Sequence, residues 1–433
     1  MPRIRSSRVV LPDGVGAATI RYEDGLIVEI SGGTADHDYG DLVVMPGLVD
    51  SHVHVNEPGR TEWEGFHSAT RAAAAGGTTT IVDMPLNSIP PTVTRSALEA
   101  KRRAARGKLS VDVAFWGGLI PGTSDELAGL AADGVSGFKS FLVDSGVPEF
   151  PAIGIDELTE GLRIMADLGV PSLLHAEDPA ALLPVEGDTT EYQSYLASRP
   201  ADAEARAVEL AAAMAAETDA AVHVLHVSSG EAVAVLAKGP SNLTGETCPH
   251  YLFFCAEEIP DGSTLFKCAP PIRSAEHRDE LWDALVDGDL AMVVSDHSPA
   301  PASIKAVDSG DFAEAWGGVG SLQLRLQATW TAARDRGIDI GRLGSWLALE
   351  PALLAGLGDR KGSIEVGKDA DFVVFDPDGA LLVTGEDLEH RHPITPYEGI
   401  RLRGSIVETI LRGQTVYLEG RIEGGLGRMM RRR

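Results

Sequence analysis

The sequence predicts an α/β protein: a (β/α)8 barrel with a small β domain built from both termini. Eight short apolar runs alternate with Ala- and Leu-rich stretches over about 250 residues, which is the usual extent of such a barrel. The two ends differ, because RVVLPDGVGAATIRYEDGLIVEI and KDADFVVFDPDG are rich in β-branched residues and turns. We therefore assign residues 46–362 to the barrel, and residues 1–45 with 363–433 to the terminal β domain.

Each barrel element has its own local signal. The predicted strands, in chain order, are LVVMPGLVDSHV (42–53), TTTIVDMP (78–85), VDVAFWGGLI (111–120), VSGFKSFL (135–142), VPSLLHAE (170–177), AAVHVLHVSS (220–229), LTGETCPHYL (243–252) and LAMVVSDHSP (290–299). Between them lie stretches of high helix propensity with polar starts or glycine stops, such as SATRAAAAGG and ADAEARAVELAAAMAAET. The alternation indicates parallel strands joined by helices.

Composition narrows the function. With 37 Lys and Arg against 64 Asp and Glu, the net charge of −27 disfavours nucleic acid and anionic membrane surfaces as partners. No apolar run is long enough to cross a bilayer and MPRIRSSRVV lacks a secretory signal, so we expect a cytoplasmic protein. The three cysteines contain no CxxC and are expected to be core residues. The basic tail RMMRRR is expected to be solvated and disordered.

Polar side chains stand where the predicted strands end, which is the face of a barrel that carries chemistry. Six of them can bind metal or be converted to a metal ligand: His52, His54, Lys139, His175, His226 and Asp296. Because side chains alternate along a strand, His52 and His54 share a face, and Asp50 on that face is placed to orient a ligand ring. The same rule turns His223 away from His226, so His223 is interpreted as a histidine packed against a helix.

Imidazole and carboxylate ligands suit zinc, manganese, cobalt or iron, and two such ions about 3.5–4 Å apart can drive a hydrolytic displacement. A bridging anion would reduce the repulsion between the two ions. The deprotonated amine of Lys139 can supply one by taking up carbon dioxide as a carbamate. Other interpretations are an ion-paired or surface-reaching Lys139 and an Asp296 that caps a helix. His390 and His392 lie beyond the barrel and are not assigned as ligands.

Several motifs resemble those of the allantoinases, within the cyclic amidases of the amidohydrolase superfamily. They are EPGRTEWEGF (57–66), DMPLNSIPPT (83–92), GFKSFLVDSGVPEFP (137–151), ETCPHYL (246–252), SDHSPAP (295–301) and AWGGVGSLQ (315–323). The resemblance extends from MPGLVDSHVH to ILRGQTVY and implies a distorted barrel with a β-sandwich from both termini. It also implies a homotetramer that acts on a small molecule.

The resemblance implies a role for each of the six residues. His52, His54 and Asp296 would hold one divalent metal, zinc being the first expectation, and His175 and His226 the other. Carboxylated Lys139 would bridge the two ions, and Asp296 would also be the catalytic residue that moves the proton.

Substrate contacts are expected from four further residues: Asn56, Ser298, Gly318 and His250. Related dihydroorotases carry an arginine that grips a carboxylate where this chain has Asn56, so a neutral ring substituent fits better here. A turn residue before Pro58 is the other interpretation of Asn56.

The function expected from the resemblance is hydrolysis of the cyclic amide of allantoin to allantoate, in purine degradation, by a hydroxide that two metals activate. A hydantoinase or dihydropyrimidinase with the same metals is the alternative, and a dihydroorotase fits less well. A non-catalytic structural relative would be expected to have lost ligands, and all six are present.

Overall fold

The computed structural model describes residues 2–432, which contain eighteen strands. The strands are β1 Arg3–Leu11, β2 Gly14–Glu23, β3 Leu26–Ser31, β4 His37–Asp38, β5 Val43–Pro46, β6 Leu48–Val53, β7 Thr78–Asp83, β8 Asp112–Phe115, β9 Gly117–Gly118, β10 Phe138–Phe141, β11 Ser172–His175, β12 Val222–Val224, β13 Leu243–Thr247, β14 Met292–Val293, β15 Phe372–Leu382, β16 Arg401–Leu411, β17 Gln414–Leu418 and β18 Arg421–Ile422.

The same residues form twelve α-helices. They are α1 Phe66–Ala75, α2 Arg95–Ala105, α3 Leu127–Ala132, α4 Ile155–Leu168, α5 Tyr192–Ser198, α6 Ala201–Thr218, α7 Gly230–Leu236, α8 Pro249–Phe253, α9 Ala275–Asp287, α10 Arg325–Asp335, α11 Gly341–Gly344 and α12 Glu350–Leu354. A π-helical segment, Ser345–Leu349, joins α11 to α12. The longest helix, α6, begins after Pro200 and ends at Thr218, and the next residue, Asp219, takes the left-handed conformation that stops helices.

Strands β6 to β14 form a parallel barrel. One sheet has the order β6-β7-β8 and the other β14-β13-β12-β11-β10-β9, and β8 and β9 are two pieces of one barrel position separated by Trp116. The ring closes where the backbone N–H of His54 donates to the carbonyl of His297 at 2.8 Å. All eight predicted strands contain a barrel strand, so the predicted fold class is confirmed.

The termini form one hydrogen-bonded sheet of nine strands, in the order β18-β17-β16-β15-β5-β1-β2-β3, with β4 paired to β1. The run 42–53, expected to be one strand, is therefore two. β5 ends at Pro46 and belongs to the terminal sheet, whereas β6 begins at Leu48 and belongs to the barrel. Alternate side chains of the terminal sheet form an apolar cluster of their own that includes Ile20, Val44 and Phe372.

The basic C-terminal tail is packed, which corrects the expectation that it is solvated. The N–H of Val113 in β8 donates to the Arg428 carbonyl, and the N–H of Met430 donates back to Val113. Met430 is buried in the apolar cluster that also holds Trp116. Because this strand-like pairing satisfies backbone groups and buries an apolar side chain, residues 428–430 are ordered despite their charge.

None of the helices within residues 2–432 has the length and apolar character needed to cross a membrane.

Candidate metal centre

The six side chains expected to bind metal come together at the carboxyl end of the barrel. His52 lies at the end of β6 and His54 just beyond it, Lys139 is in β10, and His175 ends β11. His226 and Asp296 follow β12 and β14 by two and three residues. All six are buried, and all except His52 line a cavity of about 440 Å³. His52 lies directly beneath this cavity, against Asp296 and Lys139.

His52, His54 and Asp296 form a first group. Oδ1 of Asp296 lies 3.1 Å from Nε2 of His52 and 3.6 Å from Nε2 of His54. Ligand atoms of the three residues lie within 4.8 Å of one another. Burial acts to raise the pKa of Asp296, but the charge and hydrogen bond of His52 outweigh it and hold that pKa well below its usual value. Asp296 is therefore an ionised carboxylate facing two imidazoles.

His175 and His226 form a second group. Nδ1 of His175 lies 3.0 Å from Nε2 of His226, while Nε2 of His175 lies 2.8 Å from a carboxylate oxygen of Glu177. The proton of His175 is therefore donated to Glu177, and its free lone pair faces His226. Burial lowers the pKa of both rings, so both are neutral and able to bind a cation.

Lys139 stands between the two groups. Its Nζ lies 3.4 Å from Nε2 of His52 and 4.9 Å from the centre of the Phe141 ring, and the side chain is 1% exposed. Burial lowers the pKa of Lys139 to about 8. About a tenth of the amine is thus unprotonated at pH 7, far more than for an ordinary lysine, and the carbamate chemistry requires this form.

Two buried carboxylates hold the histidines from behind. Glu246 in β13 lies 2.6 Å from Nδ1 of His52 and 3.1 Å from Nε2 of His223. Burial acts to raise the pKa of Glu246, but the charge and hydrogen bonds of these two histidines lower it to about 2. Glu177 takes the same role toward His175 and is also bound by Arg199 at 2.7 and 3.0 Å. Such carboxylates fix ring orientation and direct the other ring nitrogen at a metal.

Neither carboxylate was expected from the sequence. The available signal was a glutamate within an apolar barrel strand, because a buried carboxylate must have partners. Asp50 was expected to orient the ring of His52, and it does not. Its carboxylate accepts backbone N–H groups of His52 and Ser295 instead, because Glu246 already occupies the ring nitrogen.

His223 also differs from the prediction. It joins the network inside the barrel, through Glu246 and the Thr244 hydroxyl at 2.7 Å, rather than packing outward against a helix. The reason lies in His226, whose φ of 40° breaks the regular alternation of the strand. Both His223 and His226 consequently point inward.

Four site positions have a left-handed backbone that is uncommon for residues other than glycine. They are Asn56, Asn87, His226 and Asp296, with φ of 66°, 64°, 40° and 43°. Such backbone strain is retained only where the surrounding structure imposes it. It occurs most often at functional sites. Here it aims His226 and Asp296 into the cavity.

The expected substrate contacts divide into two pairs. Ser298 and Gly318 line the cavity. The φ of Gly318 is 144°, and a Cβ there would lie 2.3 Å from the Ser298 carbonyl oxygen, so only glycine fits. Asn56 and His250 do not line the cavity, because both are enclosed in the wall, and the Asn56 amide is turned to the Pro299 carbonyl at 3.4 Å.

His390 and His392 lie outside the site, as expected: His390 accepts a backbone N–H of Gln323, and His392 donates to the Glu62 carbonyl.

The residues present fit a pair of divalent cations. The two neutral imidazoles of the second group face each other through ring nitrogens 3.0 Å apart, an arrangement that a shared cation would stabilise. The first group offers a carboxylate to two more imidazoles. Nitrogen and oxygen ligands of this kind suit zinc, manganese, cobalt and iron.

Comparison with known proteins places the chain among metal-dependent hydrolases. The model of the amidohydrolase family matches residues 43–416. The chain is 46% identical to an allantoinase of Streptomyces avermitilis, over 99% of this chain and 98% of that one. It is 42% identical to an allantoinase of Arabidopsis thaliana, over 96% and 88% of the two chains.

Solved structures with the same fold are also similar in sequence. An L-hydantoinase (dihydropyrimidinase) from Arthrobacter aurescens aligns with a TM-score of 0.92 and 30% identity, covering all of both chains. A dihydropyrimidinase from Brevibacillus agri aligns with a TM-score of 0.89 and 28% identity, covering 100% of this chain and 98% of that one.

Proposed function

The chain belongs to the amidohydrolase family, and we propose that it is a metal-dependent hydrolase that opens the cyclic amide of allantoin to give allantoate. The observation that carries the proposal is the meeting of four histidines, a lysine and an aspartate around one cavity, in a chain similar to allantoinases over almost its whole length. Purine degradation is the process in which this reaction would serve.

We propose that His52, His54 and Asp296 hold one divalent ion and His175 and His226 a second, zinc first, with manganese, cobalt or iron also suited to the ligands. When bound, such a pair supplies a hydroxide nucleophile at neutral pH and polarises the carbonyl under attack. Glu246 and Glu177 keep the rings of His52 and His175 in the tautomer and orientation that ligation needs.

Lys139 is proposed to bridge the two ions as a carbamate. Its unprotonated Nζ forms an N–C bond to carbon dioxide and releases one proton, which leaves a carboxylate on a long arm. The lowered pKa of about 8, caused by burial, and the position of Nζ next to His52 support this assignment.

Asp296 is proposed to move the proton of the reaction. It takes the proton of the attacking hydroxide as the C–O bond forms, and gives it to the ring nitrogen as the C–N bond breaks. Asp296 lies at the cavity wall beside Ser298 and Gly318, within reach of a bound ring. The nitrogen therefore leaves as an amine rather than as an anion.

The proposal extends to the setting of the enzyme: a cytoplasmic homotetramer whose barrel spans residues 46–362 and whose terminal domain comprises residues 1–45 and 363–433. The net charge of −27 supports the absence of a nucleic-acid or anionic-membrane partner. Light scattering on the purified chain tests the assembly.

A hydantoinase or dihydropyrimidinase activity is the second candidate, because the two solved enzymes of those kinds described above share the whole fold at 28–30% identity. Turnover of allantoin, hydantoin, dihydrouracil and dihydroorotate should be compared on protein reconstituted with each divalent metal. We expect the highest kcat/KM for allantoin. Faster turnover of hydantoins or dihydrouracil would favour the second candidate, and no turnover of any ring would refute both.

A further inference from the structure

A second cluster of possible ligands lies beside the centre described above. Ligand atoms of Cys248, His250 and Asp296 lie within 4.8 Å of one another, and all three residues are buried. Cys248 immediately precedes α8, and His250 lies in its first turn. Asp296 is common to this cluster and to the group formed with His52 and His54.

The His250 side chain in this cluster has unsatisfied hydrogen-bonding groups. The residue is fully buried, and neither ring nitrogen has a hydrogen-bond partner among the described residues. A buried imidazole without hydrogen-bond partners is destabilising, because its ring nitrogens have lost their contacts with water. The nearest ring, that of Tyr251, meets it edge-on at 4.3 Å between centroids and offers no acceptor. A group that binds the free nitrogen of His250 would remove this penalty.

The donor atoms of the cluster indicate which kind of ligand would bind there. A thiol, an imidazole and a carboxylate are the donors of tetrahedral zinc and cadmium sites, whereas magnesium and calcium take oxygen ligands. Ligand atoms around a tetrahedral ion of this size lie roughly 3.3–3.8 Å apart, given metal–ligand bonds of about 2.0–2.3 Å. The three ligand atoms lie within 4.8 Å of one another, so they need to approach by roughly 1–1.5 Å at most to reach that spacing.

We propose that Cys248, His250 and Asp296 form an additional, inhibitory site for a thiophilic divalent cation such as zinc in excess or cadmium. Binding replaces the thiol proton, which passes to solvent, with the cation, and no oxidant or reductant takes part. Asp296 borders the cavity, so its carboxylate links this cluster to the substrate's pocket. The cation then engages the carboxylate that the proposed function uses for proton transfer, so the inhibitory effect rests on that function while the binding does not.

Binding is tested with cadmium on holoenzyme already loaded with its catalytic metal. We expect one further equivalent of metal per chain and an ultraviolet thiolate-to-cadmium charge-transfer band. Cys248→Ser should abolish the band, and Cys255→Ser, which removes another buried cysteine outside the cluster, should leave it unchanged. A band that survives Cys248→Ser, or the absence of a third equivalent, would overturn the proposal.

His250→Gln provides a second route that keeps the thiol, should the serine variant fold poorly. We expect its cadmium affinity to fall at least tenfold, and unchanged affinity would remove His250 from the ligand set. Magnesium, as the oxygen-preferring probe, should produce neither band nor inhibition, and a magnesium response would contradict a thiophilic site.

Inhibition is measured separately as allantoin turnover. Cys248→Ser should keep the parent activity without cadmium and require at least tenfold more cadmium for half-inhibition. Equal sensitivity of parent and variant would mean that cadmium acts elsewhere, which would overturn the inhibitory role. A cadmium band that depends on Cys248, in protein without allantoin turnover, would leave the site standing and refute the proposed function instead.

Discussion

His52 is fixed from both ends of its ring. Nδ1 lies 2.6 Å from Glu246, and Nε2 lies 3.1 Å from Asp296, in the direction of the cavity. Glu246 is fully buried, so its charge cannot be stabilised by water. Instead, its carboxylate contacts His52 and His223. A single carboxylate therefore sets the tautomer of a proposed ligand, and the two histidines offset the burial of its charge.

Replacing Glu246 with glutamine tests this arrangement. Glu246→Gln removes the charge and weakens the hold on His52, so we expect the affinity for divalent metal to fall roughly 10–100-fold. Competition with a chelator measures the affinity, and Glu209→Gln on the exposed face of α6 is the matched control. An unchanged metal affinity in Glu246→Gln would contradict the positioning role.

Lys139 allows a chemical rescue. Lys139→Ala should lose nearly all turnover, because alanine can form no carbamate to bridge the ions. Short-chain carboxylic acids should restore part of the activity by supplying a carboxylate in the space left behind. Turnover with and without added acid measures both effects, and Lys238→Ala, at an exposed lysine, is the control. Full activity of unsupplemented Lys139→Ala would remove the carbamate from the mechanism.

At the scale of elements, the loop that carries Gly318 is held by one buried lysine. Nζ of Lys305 donates to the carbonyls of Trp316 at 2.9 Å, Gly318 at 2.6 Å and Lys267 at 3.3 Å. Trp316, Gly318 and Lys267 all line the cavity. Lys305 itself contacts the loop backbone from outside the cavity, so it shapes the pocket without touching a substrate.

Lys305→Met keeps the volume of the side chain and removes the three hydrogen bonds. We expect KM for allantoin to rise roughly tenfold, equivalent to about 1.4 kcal/mol, with a smaller change in kcat, because the loop positions substrate rather than reacting. Steady-state kinetics measure the two constants, with Lys238→Met as the control. A fall in kcat at constant KM would instead place Lys305 in the chemical step.

At the scale of the whole molecule, a buried ion network joins the barrel to the terminal sheet. Nζ of Lys361 lies 2.7 Å from Asp112 in β8, 2.9 Å from Asp369 and 2.6 Å from Asp371. Arg412, after β16, pairs with the same Asp112. Oxygen atoms of the three carboxylates come within 4.8 Å of one another, so they repel strongly unless a cation lies between them. Lys361 is that cation.

Removing the cation should therefore destabilise the fold. Lys361→Met leaves the three carboxylates with too little positive charge, and we expect the free energy of unfolding to fall by about 3–5 kcal/mol. Urea denaturation measures the change. The control Lys368→Met removes a partly exposed pair with Glu365 and a hydrogen bond to the Ser363 hydroxyl, and it should change stability by about 1 kcal/mol or less. A similar loss in both variants would contradict the linking role of Lys361.

Local sequence patterns were enough to predict the barrel and the convergence of the six proposed ligands on one rim. Parallel strands in a closed ring bring all their carboxyl ends to one rim, so residues at strand ends must approach one another whatever the details of packing. Whether a residue lies at the end of a strand, and on which face, can be predicted from the hydrophobic pattern of its immediate neighbours. For this reason His52 and Asp296 could be predicted to meet at one rim although 244 positions separate them, whereas their assignment to the same metal came from the family resemblance.

The groups that hydrogen-bond to those ligands and orient them could be identified from the folded structure alone. The left-handed backbone of His226 broke the alternation used to place His223. Glu246 opens the ETCPHYL motif but was given no role from the sequence, and it is the partner of both His52 and His223. The C-terminal tail was ordered by pairing with β8, more than 300 residues away in the chain. The partners of buried polar groups come from distant parts of the chain. Local patterns of hydrophobicity and charge therefore do not predict them.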